Sequence, residues 1–475
     1  MSLSLGLLHP VVKKKNEKTI RIVLLLFFVF MFFINQLPFL TNMRPVMYDE
    51  AWYGNTAYNL YVGNGLYQNT VGSGGNSNSL FPLIGALFME LFGNSLFSLR
   101  FASVFCGFVT LLIIHFVMNE FKVSLVGRIL ALALFVSLPL FNTAFRFARP
   151  ESASMMCLTG GILFYSRYWR THSWSDMVCL GIFCVLATNA HPFALYGFMF
   201  FGVALLIDVF KSKEWRRIYQ LLLFFFMAII GLGLVMYLTF MYNEGSLSGT
   251  FLGRASLMNW RKSAVFYFKE LFMSKQAIGT FVTLFVLIGA FVKLREKRLQ
   301  LLALMAIING LSFPFVFTAD LMMVGYGWNY VSLISVVLVA PFVDSFKSSK
   351  VTRIWIAAII AVYSMGCLFL SYYYNYKIKY EKCNTVLTED ISNLIPSKAV
   401  VYGPLRQWFC VMGSCYYSDH YRYELPDEFD YLIFNEQDLQ IYENNAKVMS
   451  TIERYDLIYS KATKQYGEVT VYRKK

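Results

Sequence analysis

Two carboxylates stand side by side at Asp49 and Glu50, shortly beyond an apolar run that ends at Leu40, and a third, Glu151, follows Arg146, Arg149 and Pro150. Further cations come at Arg254, Arg261 and Lys262. Guanidinium groups grip phosphate oxygens through planar, paired hydrogen bonds, and ammonium groups do so as point charges. A carboxylate beside them can take the proton of an attacking hydroxyl or amine. A phosphate monoester, with a second pKa near about 6, departs as an anion without full protonation. These residue types therefore suit transfer from a lipid-phosphate sugar donor whose chain lies in a bilayer and whose phosphate sits at its surface. Asp49 is the candidate base or metal-binding carboxylate, with Glu50 beside it and Glu151 as a second site carboxylate. Arg146, Arg149, Arg254, Arg261 and Lys262 are the candidate phosphate clamp.

Each of these residues also has a plainer role open to it. Acidic residues in a first helical turn offset the helix macrodipole, Glu151 can pair with its arginine neighbours, and a cationic loop can meet anionic headgroups. His191, before Pro192 at a tight turn, and Asp320, near Tyr326 and Trp328, are acceptor-side or structural candidates. Two adjacent carboxylates and a phosphate would suit Mg2+ or Mn2+. A clamp made of cations needs neither, so no cofactor is required by these residues.

The elements that must hold them in place are mostly membrane spans. With 57% hydrophobic and 15% charged residues, the chain departs from soluble-domain usage and reads as an α-helical polytopic membrane protein. Residues 375–475 carry 13 Lys/Arg against 14 Asp/Glu, so the whole +14 excess belongs to the apolar part. There it speaks for topology and lipid contact, not for nucleic acid. Apolar segments at 22–40, 96–118, 126–142, 150–168, 177–190, 192–210, 218–241, 277–294, 299–318, 326–344 and 353–374 give about eleven transmembrane helices. Basic clusters mark alternate loops: Lys122 with Arg128, Arg167 with Arg170, Lys211 to Arg217, Lys293 to Arg298, and Lys347 to Arg353. The positive-inside rule makes those loops cytoplasmic. Loops 41–95, 143–149, 242–276 and 319–325, with the tail, then share the outer face, bringing every candidate residue to one side. A transporter or flippase of lipid-linked saccharides is the alternative. It would carry ionisable residues in the middle of several spans, where few occur.

Within the first outer loop, Tyr53, Ala57, Leu60 and Tyr61 recur at helical spacing and Gly63 and Gly65 end the pattern, so 47–62 is predicted to be an interfacial helix. The apolar stretch from Phe81 to Gly93 is too short to span. The chain thus divides into 1–375, a membrane domain with interfacial helices at 41–95, and 376–475, a small extracytoplasmic α/β domain. In the latter, 385–394 is predicted as helix and 399–402, 431–434, 457–460 and 469–472 as strands. Cys410 and Cys415 are spaced to close a short disulfide loop if the tail faces an oxidising compartment.

Asp49-Glu50-Ala51 after Tyr48, then Phe92 to Ser95, Leu99 to Ser103, and Arg146 to Glu151 together resemble the dolichyl-phosphate-mannose protein mannosyltransferase family of the GT-C superfamily. Its bacterial members include lipid A aminoarabinose transferases. The resemblance covers residues 20–210 by motif and the rest by hydropathy and layout. It implies an inverting glycosyltransferase that moves a sugar from a polyprenyl-phosphate donor to a glycolipid, polysaccharide or protein acceptor at the outer face of a bacterial plasma membrane. It also implies that Asp49 is the residue tied to catalysis and that Glu151 is the acidic residue after the second outer loop. Many bacterial relatives place Lys-Pro-Pro against the donor phosphate. Here the corresponding residues are Asn78, Ser79, Leu80, Phe81 and Pro82, with no lysine in that loop.

Overall fold

A computed structural model describes residues 14–42, 46–66, 79–191, 194–242, 260–273, 277–316, 321–377, 383–412, 414–417, 429–436, 439–440, 446–464 and 466–475. The chain begins with α1 (Lys14–Gln36), α2 (Tyr48–Tyr61), α3 (Leu80–Phe92), α4 (Leu96–Glu120), α5 (Leu125–Ser137), α6 (Pro139–Arg146) and α7 (Pro150–Thr171). It continues with α8 (Trp174–Ala190), α9 (Leu195–Ser212), α10 (Trp215–Tyr242), α11 (Trp260–Met273), α12 (Ala277–Lys293), α13 (Lys297–Val316), α14 (Leu321–Asp344) and α15 (Lys350–Lys377).

Five of these helices contain stretches long and apolar enough to cross a membrane: Lys18–Gln36, Leu96–Glu120, Trp215–Leu234, Gly327–Asp344 and Lys350–Tyr373. Two bent helix pairs raise the number to seven among the described residues, against the eleven expected. Part of the difference lies in α7, which carries Glu151, Arg167 and Arg170, and in α8, which at 17 residues is shorter than a free-standing span. One bent pair is α5 with α6, turned by 57° at Leu138. The cause is Pro139, which lacks an amide hydrogen and pushes Leu138 into an extended conformation (ψ 122°).

Burial sorts the helices into centre and rim. The α14 span is 94% buried, whereas the α1, α10 and α15 spans are 22% buried and turn apolar side chains outward. Without a membrane-side hydrophobic gain, helix contacts rely on packing and polar links. One such link joins α1, α6 and α15: Asn35 Nδ2 donates to Asn142 Oδ1 at 2.7 Å, and Ser371 Oγ donates to Asn35 Oδ1 at 2.8 Å.

After α15 come α16 (Cys383–Leu394), β1 (Val400–Tyr402), a 3-10 segment (Leu405–Val411), β2 (Cys415–Tyr417), β3 (Tyr431–Asn435), α17 (Ala446–Ile452), β4 (Tyr455–Thr463) and β5 (Gly467–Lys474). The sheet order is β2-β1-β3-β5-β4. β1 runs parallel to both neighbours, and the β3–β5 and β5–β4 pairs are antiparallel. Successive strand residues face opposite sides. Val401, Ile433, Val469 and Val471 pack with Leu387 and Ile391 of α16 and with Ala51, Phe81 and Leu99 of the membrane part. Tyr402, Leu432 and Phe434 form a separate cluster with Ile452 and Tyr455. Cys410 is buried, and the side chain of Cys415 lies outside the described residues.

The predicted interfacial helix forms as α2, and the tail covers it. Gly54 lets the 3-10 segment approach: a Cβ there would stand 2.8 Å from Leu99 Cδ1 and 2.9 Å from Trp408 Cζ3. Asn55, Thr56, Ala57 and Asn59 of α2 are all buried.

Candidate functional site

Asp49 and Glu50 are neighbours in sequence but serve different surroundings. In an α-helix adjacent residues point about 100° apart, and here that angle separates a half-exposed carboxylate from a buried one. Glu50 is locked. Arg100 Nε donates to its Oε1 at 2.9 Å and Arg100 Nη2 to its Oε2 at 2.9 Å, with both side chains fully buried. Two backbone amides complete the set: Met47 N to Oε2 at 3.0 Å, which caps α2, and Ala148 N to Oε1 at 2.9 Å. Arg100 Nη1 also donates to the Leu40 and Thr41 carbonyls, at 2.8 and 3.1 Å, and its guanidinium lies over the Phe147 ring.

Asp49, whose side chain is 40% exposed, faces the link between α6 and α7. Arg149 closes that link. Residues before proline are driven out of the helical region, and Arg149 is extended (φ −134°, ψ 146°) ahead of Pro150, which starts α7. Its Nη2 donates to Asp49 Oδ2 at 2.8 Å and to Glu151 Oε1 at 2.9 Å. Glu151 sits in the first turn of α7, where the helix dipole favours negative charge. It is buried, and its Oε2 has no hydrogen-bond partner among the described residues. Burial works against the Arg149 charge, but Glu151 and Asp49 outweigh it and raise the guanidinium pKa. Arg149 thus remains a cation between two carboxylates.

His191 ends α8 with its Nε2 3.9 Å from Glu151 Oε1. Burial lowers its pKa, so the imidazole stays neutral beside Glu151. One helical turn beyond Glu151, Ser154 accepts the Tyr330 hydroxyl of α14 at 3.1 Å. Farther along α7 a narrow apolar cleft, with a free volume of about 20 Å³, lies between α7, α9, α13 and α14. Leu158, Ile162, Phe200, Tyr330, Val331 and Ile334 line it.

The tertiary structure therefore gathers Asp49, Arg149, Glu151 and His191, and directs two other candidates elsewhere. Arg146 is buried, with Nη2 on the Pro38 carbonyl behind the site. Glu50 is committed to Arg100. Arg254 and Asp320 lie outside the described residues, as do the side chains of Arg261 and Lys262, whose backbone opens α11. Arg100 received no role from sequence reading. An arginine within an apolar span is itself a signal, since such a charge needs a buried partner. Ser103 was also missed; its Oγ accepts the Arg149 amide at 3.3 Å.

Among the described residues no three His, Cys, Asp or Glu side chains gather as a metal site. The Asp49–Glu50 pair diverges, so Asp49 alone could offer oxygen to Mg2+ or Mn2+, with phosphate and water completing the shell.

Residues 79–240, about a third of the chain, match the family profile of dolichyl-phosphate-mannose-protein mannosyltransferases. This stretch holds Arg100, Arg149, Glu151 and His191 and begins after Asp49. No curated protein sequence matches the chain. Among solved structures, ArnT from Cupriavidus metallidurans bound to undecaprenyl phosphate superposes with a TM-score of 0.64 at 14% identity, over 97% of this chain and 98% of that one. Its apo state gives 0.65 at 13% identity, over 96% and 98%. Arabinofuranosyltransferase AftD from Mycobacteria gives 0.55 at 11% identity, over 96% of this chain and 41% of that one. The chain is thus similar, through residues 79–240, to the dolichyl-phosphate-mannose protein mannosyltransferases, and over nearly its whole length it shares the fold of ArnT and of part of AftD.

Proposed function

We propose that this protein is an inverting glycosyltransferase that moves a sugar from a polyprenyl-phosphate donor to a hydroxyl or amine of a lipid, polysaccharide or protein acceptor, at the outer face of the membrane. The observation that carries this is the shared Arg149 nitrogen, 2.8 Å from Asp49 and 2.9 Å from Glu151. It sets a half-exposed base beside a cation and a buried carboxylate. The solved ArnT complex, whose fold this chain shares, holds a polyprenyl phosphate.

In the reaction the acceptor oxygen or nitrogen attacks the anomeric carbon, and its proton passes to the Asp49 carboxylate. The bond from that carbon to the phosphate oxygen breaks, and polyprenyl phosphate leaves with the electron pair. Asp49, half-exposed, can meet an acceptor arriving from water. Glu151, buried against Arg149 and neutral His191, orients the guanidinium. Glu50 acts through position alone, because Arg100 and two amides occupy its oxygens.

Charge determines what else the site needs. Two carboxylates and one guanidinium leave a negative excess, and a phosphodiester adds another negative charge. More positive charge must face the leaving group. Arg254, Arg261 and Lys262 are the proposed source. Mg2+ or Mn2+ held between Asp49 and the phosphate would supply the same charge.

The test measures transfer from undecaprenyl-phosphate-linked mannose, arabinose and aminoarabinose by purified protein. Removing a general base costs about a hundredfold or more, so Asp49→Asn should lose that much with an unchanged melting temperature. Wild-type rates in both Asp49→Asn and Arg149→Ala would overturn the assignment.

A further inference from the structure

The segment that delivers Asp49 is held on both sides by the tail. Asn384, in the first turn of α16, donates from Nδ2 to the Thr41 carbonyl at 2.8 Å. Its Oδ1 accepts the Tyr466 hydroxyl at 2.8 Å, and that same hydroxyl oxygen accepts the Val46 amide at 2.7 Å. One hydrogen-bonded chain therefore runs from Thr41, through Asn384 and Tyr466, to Val46. Asn42 adds a second link, donating from Nδ2 to Thr385 Oγ1 at 2.9 Å and accepting the Thr385 amide at 3.1 Å.

The clamp is built for fixed geometry. Asn384 and Tyr466 are buried, and Tyr466 stands in the β4–β5 turn. Thr463 Oγ1 fixes that turn by accepting the Tyr466 amide and donating to Gly467 O, both at 3.0 Å. The clamped residues then meet the site directly. Thr41 O also receives Arg100, which holds Glu50, and Val46 leads within one residue to Met47, whose amide Glu50 caps.

We propose that Asn384 and Tyr466 are positioning residues for Asp49, through which the 383–475 unit sets the entry of α2 against Arg149. The tail is in this sense a working part of the transfer site. The consequence for catalysis rests on Asp49 as the proton acceptor; the clamp itself does not. Reacting groups tolerate little misplacement, since effective molarity depends on near-attack geometry. A loosened entry should therefore slow the chemical step while leaving donor binding in place.

The test uses the full-length protein in lipid nanodiscs and compares Tyr466→Phe and Asn384→Ala with Asp390→Asn. Asp390 bonds Tyr459 and Lys461 of β4, at 2.8 Å each, so its variant loosens the unit without touching the link. The expected result is a kcat lowered about tenfold or more in Tyr466→Phe and Asn384→Ala, with donor KM unchanged. Deuterium uptake over residues 46–52 should quicken in both. Asp390→Asn should change neither, even where it lowers the melting temperature. Should Tyr466→Phe not fold, Asn384→Ala, which keeps the tyrosine hydroxyl on Val46, carries the comparison. Unchanged uptake at residues 46–52, or an equal loss of kcat in Asp390→Asn, would overturn the proposal. A full-rate Asp49→Asn protein would instead overturn the base assignment, while the exchange readout still tests the clamp.

Discussion

Glu50 Oε1 accepts the amide of Ala148 at 2.9 Å, so the carboxylate next to Asp49 fixes the residue next to Arg149. The two halves of the site are thereby held in register by a side chain whose oxygens are both taken up by Arg100 and by backbone amides. The bidentate Arg100 pair sits on the same carboxylate. Its ionic character matters because neither partner reaches water.

Glu50→Gln removes one buried charge and leaves Arg100 uncompensated. Breaking a buried pair from one side costs about 3–5 kcal/mol, and chemical denaturation in detergent should show a loss of that size. The double variant Glu50→Gln/Arg100→Met should recover part of it, because no lone charge then stays buried. A single variant as stable as the parent would contradict the described pairing.

Gly54→Ala tests the closeness of α2 to the tail. The added methyl meets Leu99 and the rigid Trp408 ring at under 3 Å. Overpacking of this kind costs about 1–3 kcal/mol. We expect a lower melting temperature and easier proteolysis of the tail; a neutral outcome would mean that the 3-10 segment packs less tightly on α2 than described.

The lowered pKa of His191 predicts a pH dependence of stability. Below the ordinary value of 6.5 the unfolded chain takes up a proton at this residue that the folded chain resists. Stability from this source is therefore full above about 6.5 and is lost as pH falls through the folded value. Thermal melts of the parent and of His191→Asn between pH 5 and about 8 should diverge on the acid side, with the variant flatter. Parallel curves would remove His191 from the account.

Metal removal separates two sources of positive charge. If Arg254, Arg261 and Lys262 supply it, EDTA should leave transfer within about threefold. If a divalent ion bridges Asp49 and the phosphate, the loss should exceed about tenfold, since such an ion contributes several kcal/mol. Readdition of Mg2+ or Mn2+ should then restore the rate.

Much of the architecture was legible along the chain because it depends on local properties. Apolar runs located the membrane helices, and strand-type runs located β1, β3, β4 and β5 after the helical stretch of α16. The motif likeness and the full-length fold similarity point the same way. The number of spans was less legible, because hydropathy gives apolar character but not whether a helix such as α7 or α8 stands alone against lipid. The kink at Leu138 shows the same limit from the other side. A proline in the sequence announces a break, but the 57° bend belongs to the folded chain.

The sequence by itself determined that scarce carboxylates and cations cluster near the ends of apolar segments, because charge in a membrane must stay near water or find a partner. Only the tertiary structure decided which partners those were. Asp49 and Glu50 are equivalent on paper, yet the pitch of α2 sends one toward Arg149 and the other into Arg100. Arg146 and Arg149 lie three residues apart, yet Pro150 holds Arg149 extended toward Asp49 while Arg146 turns to Pro38. The links from Asn384 and Tyr466 to Thr41 and Val46 join residues more than 340 positions apart. No local pattern encodes that separation, because it arises when two distant surfaces bury their hydrogen-bonding groups against each other.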